Sequence, residues 1–312
     1  MSAPVPAALL RVLRCPVCEQ GLTEDGRRLL CPAGHAFDRA RQGSVTLGRG
    51  RRPSQNADTA AMVAARAELL ASGLYDPVRA ALAAAVAAAL PPPPAEPDPP
   101  DEPDEPGPAS APPVVADLAG GTGWYLAGVL DHLPEALGLC LDLSAPALRR
   151  AARASPRALA VGADLRDPFP LRDSTVDVAT SVFGPRAAAE TARVLTAGGA
   201  LVVVTPEPDH LAELAAPLGL VGVDAAKDER LTRSLPGFTR RATTSVRERL
   251  DVDRHRARAL AAMGPSAHHT TAQELDARVA GLAATTPVTL AVTVSTWTPP
   301  PEGATIDSRA DR

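Results

Sequence analysis

From residue 114 to residue 208 the chain alternates wholly apolar runs with helix-forming stretches, and this alternation restricts the architecture more than any other feature. The apolar runs are VVADLAGG (114–121), ALGLCLDLS (136–144), RALAVGADL (157–165), VDVATSVFG (176–184) and ALVVVTPEP (200–208). Between them lie helical stretches at 124–131, PALRRAARA (146–154) and AAAETARVLTAGG (187–199), the last closed by glycines. A strand that is apolar on both faces must be covered on both faces. The pattern therefore predicts an α/β fold, a parallel sheet with helices on either side. Farther on, a helix is expected near 209–218, basic strand-like residues at 238–250, helices at about 254–262 and 272–283, and an alternating strand VTLAVTVSTW at 288–297. No internal repeat is present.

Upstream the pattern differs. Met62, Ala65, Leu69 and Leu70 share one face of a helix over 57–72, with Asp58 near its start and Gly73 at its end. A second helix runs from Asp76 to Leu90. Residues 91–113 then carry twelve prolines, six acids and no base, the composition of an extended, solvated connector. The expected organisation is a module over 1–48, a helical linker region over 49–90 that opens with a basic stretch (49–55), a flexible Pro/acid-rich insertion over 91–113, a main domain over 114–300, and a frayed tail over 301–312.

The module at the start is defined by cysteine spacing. Cys15, Cys18 and Cys31 precede His35 in a C-x2-C-x12-C-x3-H pattern. Zinc takes four tetrahedral soft or borderline ligands, and a C-x2-C turn delivers two thiolates to one side of it. Cys31 and His35 can close the tetrahedron from a facing hairpin turned at Glu24-Asp25-Gly26. Four protein ligands leave no open position, so such a zinc is structural. A redox C-x-x-C is the alternative, although that motif ordinarily sits at a strand–helix junction of a larger domain. Cys140 lies in an apolar run and reads as core.

The formal net charge of -4 conceals an uneven distribution, because without residues 91–113 the remainder carries +2. Residues 1–55 hold nine arginines against four acids, and residues 230–258 nine against three. Basic patches of this kind favour a polyanion. Arginine-rich coding in a GC-rich genome is the plainer explanation of the near absence of lysine. The longest alanine-rich run, AALAAAVAAAL (80–90), is too short to span a bilayer. Arg11 and Arg14 interrupt the only early apolar run, so no secretory signal is expected and the cytoplasm is the expected location.

The first strand of the main domain ends Asp117-Leu-Ala-Gly120-Gly121-Thr122-Gly123. Glycines there let the backbone turn tightly against a ligand. The second strand ends in Asp142, placed to accept both ribose hydroxyls of an adenosine, and the third in Asp164, suited to the adenine amino group. The G-x-G-x-x-G spacing that cradles a pyrophosphate is missing. The D-x-x-G-G-x-G pattern, with Gly198-Gly199 before the fifth strand, fits S-adenosylmethionine instead.

Together these residues resemble the bacterial 23S rRNA guanine-N1 methyltransferases, a family with housekeeping and macrolide-resistance members of the tylosin and mycinamicin type. The resemblance covers nearly the whole chain and rests on CPVC…CPAGHAFDRARQGSVTL, DTAAMVAARAELLASGLYDP, the cofactor core and TPEPDHLAEL. It implies a class I, Rossmann-like methyltransferase domain behind a small zinc-ribbon module. It implies Cys15, Cys18, Cys31 and His35 as zinc ligands, and cofactor contacts from Tyr75, Gly123, Trp124 and His210. It implies 23S rRNA as partner; members of the family tend to dimerise, but no interface signature is visible in the sequence. Two departures stand out: Ala119 occupies a position commonly glycine, which matters if that residue needs a positive φ, and Gly120 one that is often cysteine.

For such a reaction the loop after the fourth strand is where the acceptor is expected. Phe183 can stack on the base and Arg186 can stabilise charge developing at O6; a core Phe183 and a surface Arg186 are the alternative. No residue is singled out as the base that takes the N1 proton. The zinc module and residues 230–258 are the candidates for gripping RNA phosphates. Two other functions fit less well: a small-molecule methyltransferase with a structural zinc knuckle, and an RNA-binding protein without turnover.

Overall fold

The computed structural model describes residues 4–48, 57–90, 111–224 and 226–301. The basic stretch at 49–55, most of the proline–acid insertion and nearly all of the tail lie outside the described residues.

The first 48 residues contain α1 (Ala7–Val12) and three short strands, β1 (Thr23–Asp25), β2 (Arg28–Leu30) and β3 (Ala36–Asp38), followed by β4 (Val45–Thr46). Strands β1, β2 and β3 form a small antiparallel sheet. Gly26, at φ 58°, makes the expected turn between its first two strands. Two helices follow, α2 (Ala60–Ala71) and α3 (Asp76–Ala89). Thr59 caps α2 by accepting the Met62 N–H at 3.2 Å.

The main domain runs β5 (Val114–Leu118), α4 (Trp124–His132), β6 (Leu137–Asp142), α5 (Ala145–Ala151), β7 (Ala158–Gly162), β8 (Val176–Val182), α6 (Ala188–Val194) and β9 (Leu195–Pro206). It continues with α7 (Ala212–Leu218), α8 (Lys227–Arg233), β10 (Thr239–Asp253), α9 (Arg254–Met263), α10 (Ala272–Ala280) and β11 (Thr285–Thr298). The eight-stranded sheet has the order β10-β11-β9-β8-β5-β6-β7-β4. From β9 to β4 neighbouring strands are parallel, whereas β11 runs antiparallel to both β9 and β10. The sheet is therefore mixed at one end. The long antiparallel pair β10–β11 closes that end of the sheet, β10 mostly exposed at the edge and β11 largely buried beside β9.

The continuous apolar runs are explained by two cores, one on each face. Val115, Cys140, Val202 and Val204 meet α2, α3, α4, α7, α9 and α10. Their alternating neighbours Val114, Ala116, Leu139, Leu141, Leu201 and Val203 meet α1 and other residues of the first 48, α6 and α8. Leu9, Leu13, Leu29 and Leu47 of the first 48 residues are buried in this second core. β4 adds the edge strand, pairing Val45 with Val161 and Thr46 with Gly162. The N-terminal segment thus covers one face of the sheet.

Several elements depart from the sequence reading. The helix expected to reach the glycines at 198–199 ends at Val194, because Leu195 already pairs with Val176 and Gly198 and Gly199 belong to β9. α1 and α8 were not expected. Each is short, and α8 buries Leu231 alone, so neither carries a legible apolar stripe. Among the described residues no single helix is long and apolar enough to cross a membrane.

Candidate cofactor and metal sites

The metal-ligating atoms of Cys15, Cys18, Cys31 and His35 all lie within 4.8 Å of one another. Cys18 and Cys31 Sγ are 3.5 Å apart, and His35 Nδ1 is 3.6 Å from Cys15 Sγ and 3.3 Å from Cys31 Sγ. Tetrahedral zinc with sulfur at ~2.3 Å and nitrogen at ~2.0 Å separates its ligand atoms by about 3.5–3.8 Å, so the four groups fit. The Val17 N–H points at Cys15 Sγ (3.4 Å) and the His35 N–H at Cys31 Sγ (3.3 Å), donors that stabilise thiolate charge. At Cys31 burial raises the pKa, but the hydrogen bonds from His35 and Cys18 outweigh it and bring the thiol down to about 6. The knuckle is braced by the Arg39–Glu24 ion pair, Glu24 also accepting the Val5 N–H at 2.8 Å.

At the carboxyl end of β5 the chain turns through residues 119–123 into α4. This is the point where the order of the parallel strands reverses and where α/β sheets bind ligands. Gly121 and Gly123 have φ of 57° and 72°, and Gly123 caps α4. A Cβ on Gly123 would also come within 3.0 Å of the Ala151 Cα. Ala119 occupies the same left-handed region at φ 56°, so the departure noted in the sequence has a conformational cost. Replacing Ala119 with Gly is expected to raise the unfolding free energy by about 0.5–1 kcal/mol, the relieved strain exceeding the extra freedom of glycine in the unfolded chain. Urea denaturation checks this, and an unchanged or lower midpoint would contradict it.

Two carboxylates face the turn. Asp142 accepts the Gly121 N–H at 2.8 Å and the Ser144 N–H at 2.7 Å, which fixes its orientation at the end of β6. Asp117 is 1% exposed; one of its oxygens accepts the Thr180 hydroxyl at 2.7 Å and the other, Oδ2, is buried without a partner among the described residues. Burial pushes its pKa up to about 7, helped by the charge of Asp142 and opposed by the Thr180 bond. An orphaned buried carboxylate oxygen beside a glycine turn suits a ligand carrying an ammonium group. Asp164 follows β7, with its carboxylate in a fork of Arg166 contacts at 2.6 and 2.9 Å. Cys140 is buried as expected, and burial raises its thiol.

The structure brings Tyr75, Phe183 and His210 together from three distant segments. The Tyr75 ring meets Phe183 edge-on at 6.1 Å, and the Phe183 and His210 rings lie at 6.1 Å and 28°. Tyr75 Oη is 3.4 Å from His210 Nε2. His210 Nδ1 accepts the Ala291 N–H at 3.2 Å, so Nε2 carries the ring proton. Burial holds its pKa down at about 4. His210 is therefore a neutral donor at Nε2, with no lone pair free to take a proton. Its segment is pinned to β10 through Glu207, which accepts from Ser245 (2.7 Å) and Arg247 (2.6 Å). Trp124 opens α4 with the Arg79 guanidinium 4.8 Å over its ring.

Two family models match the chain: a zinc ribbon described as RlmA, N-terminal, over residues 13–47, and a methyltransferase domain over residues 116–203. A protein of Micromonospora griseorubida, named as a 23S rRNA (guanine-N1-)-methyltransferase, is 49% identical over 93% of this chain and 98% of its own length. The 23S rRNA (guanine(748)-N1)-methyltransferase of Streptomyces fradiae is 44% identical over 94% of this chain and 99% of its own. The chain belongs to this methyltransferase family. A Bacillus subtilis member, YxjB, is 29% identical over 65% of the chain and 67% of its own length.

Within this methyltransferase some residues behave differently from their sequence reading. Phe183 is 42% exposed, and Arg186 is partly buried with Nε lacking a partner among the described residues, so the alternative of a core Phe183 and a surface Arg186 does not hold. Of the arginines in 230–258, Arg230, Arg240, Arg247, Arg249 and Arg258 are ion-paired within the protein. Much of that apparent basic patch is neutralised by acids that lie outside residues 230–258. Sequence reasoning missed Arg66, whose Nη1 would lie 3.4 Å from a Cβ on Gly121. Its signal, an arginine on the polar side of a helix, is indistinguishable locally from a solvated charge.

Proposed function

We propose that this methyltransferase methylates guanine N1 in a hairpin of 23S rRNA, with the base received by the loop Phe183-Gly-Pro-Arg186. The observation that carries this reading is Phe183, a non-glycine residue at φ 53° at the end of β8. That strained backbone presents an exposed ring beside Tyr75 and His210 and next to the glycine turn. Asp117, Gly121, Gly123, Asp142 and Trp124 would hold the cofactor: Asp117 Oδ2 takes the ammonium and Asp142 the ribose hydroxyls. Asp164, at the end of the neighbouring strand, would face the adenine, and Tyr75 and His210 would close the methionine end. When bound, S-adenosylmethionine supplies a methyl group on a positively charged sulfur, so the acceptor nitrogen needs no further activation of its partner.

The protein has to place guanine N1 in line with that methyl. Phe183 stacks on the base, which must leave its own stack or loop to reach it. N1 loses its proton as the new bond forms, and negative charge spreads to O6. Arg186 faces that charge with a guanidinium nitrogen that has no other partner among the described residues. The reading leaves the proton to solvent or to a group on the RNA, because the His210 lone pair is occupied. The exposed Arg11 and Arg41 of the zinc-binding segment, with Arg149 and Arg150 on α5, supply phosphate contacts that position the RNA without reading its sequence.

The test is mass spectrometry of nucleosides from an unmodified 23S rRNA hairpin transcript incubated with the protein and cofactor. One N1-methylguanosine is expected. Phe183→Ala should lower kcat/KM by about 10- to 100-fold, the worth of a base–aromatic stack. An unmethylated transcript, or full activity in the variant, would remove the acceptor assignment. Turnover of a small molecule without RNA would favour the small-molecule alternative.

A further inference from the structure

We propose that Arg66 of α2 binds the carboxylate of the cofactor's amino-acid end, so that the helical segment before the main domain completes the cofactor site. The proposal rests on the methyltransferase reading above and gives a role to a residue for which the resemblance implies none.

The geometry comes first. Arg66 Nη1 reaches the glycine turn at Gly121, and Nη2 donates to the Met263 carbonyl at 3.0 Å. Nη1 also pairs with Asp58. A guanidinium has five N–H donors, so these bonds leave donors to spare. The start of α2 is latched to the cradle from the other side, because the Ser144 hydroxyl, two residues past Asp142, donates to the Asp58 carbonyl at 2.8 Å. Arg66 is 27% exposed at its side chain, which keeps it accessible to a ligand.

Charge balance gives the second argument. Asp117, Asp142 and Asp58 gather at this site, each raising the cost of charging a neighbour. Arg66 is a cation whose field reaches both Asp142 and Tyr125. An amino-acid end is zwitterionic. Its ammonium matches the orphaned Asp117 oxygen, but a carboxylate entering this acidic site needs a positive group on the turn side. Arg66 is placed there, and a planar guanidinium matches a carboxylate with two parallel hydrogen bonds.

The experiment is calorimetric titration of the full-length protein with S-adenosylhomocysteine and with decarboxylated S-adenosylhomocysteine, which lacks only the carboxylate. Arg66→Gln is expected to weaken S-adenosylhomocysteine by about 10- to 100-fold, the range of a charged hydrogen bond, and to change the decarboxylated ligand less than about threefold. Arg66→Lys should fall between. Equal losses for both ligands would show that Arg66 only holds α2 against the turn and would overturn the proposal, as would no loss at all. Failure of the unmodified protein to bind S-adenosylhomocysteine would instead remove the cofactor reading beneath it.

Discussion

Removing the zinc should unfold more than the zinc-binding segment. Replacing Cys31 with Ala is expected to abolish the single bound zinc and to lower the main thermal transition by about 10–20 °C. The four ligand atoms sit within 4.8 Å of one another without support from long secondary structure, so the knuckle depends on the metal for its shape. Structural zinc contributes about 10 kcal/mol or more to folding in small modules, comparable with the whole stability of a typical domain. Here the loss is transmitted. Leu9, Leu13, Leu29 and Leu47 cover one face of the eight-stranded sheet, and β4 pairs with its edge at β7. A loss of ~5 kcal/mol corresponds to the stated shift for a chain of this size. Calorimetry of wild type, of the variant and of chelator-treated protein, beside metal analysis, measures it. A metal-free protein whose main transition stays in place would show that the zinc-binding segment folds independently of the sheet.

The second large effect concerns Asp117. Asp117→Asn should weaken cofactor binding by about 10- to 100-fold at pH 8. The wild type should show a pH dependence that the variant lacks. In the unliganded protein burial holds the Asp117 carboxyl at about 7. A bound ammonium favours its ionised form, so below that pH binding must expel a proton, and affinity falls about tenfold per pH unit. The stability of the unliganded protein runs the other way. Because the folded pKa lies above the ordinary carboxyl value of 3.8, the folded state holds the extra proton between pH ~4 and ~7. Stability contributed by that proton is full below the lower value and is lost as pH rises through the upper one. The Asn variant should therefore unfold no earlier than wild type at pH 8 while binding less. Titration calorimetry at pH 6, 7 and 8 decides: parallel pH profiles for the two proteins would assign the dependence elsewhere.

Much of the fold was legible because its signals are local. Continuous apolar runs of five to seven residues are what a strand covered on both faces requires, and β5, β6, β7 and β8 appear where those runs lie. The zinc ligands were legible for the same reason, since tetrahedral geometry imposes short spacings. The glycine turn was legible as well, down to the question whether Ala119 needs a positive φ, which it does. Where signals were weak the reading failed: α8, KDERLTR, buries one side chain, and the two-residue strand β4 has no periodicity to detect.

What the sequence by itself determined is therefore the α/β alternation, the metal knuckle and the acid-and-glycine turn, each fixed by residues near one another in the chain. The tertiary structure alone decided the rest. It laid the zinc-binding segment over the sheet, paired Arg247 with Glu207 and Asp209, and brought Arg66 to Gly121. It also set the His210 tautomer through the amide of Ala291, 81 residues away. An arginine or a histidine has the same local sequence signature whether it faces solvent, an internal acid or a ligand. Its partners are chosen by long-range packing, and only the folded chain shows which of them lie within hydrogen-bonding distance.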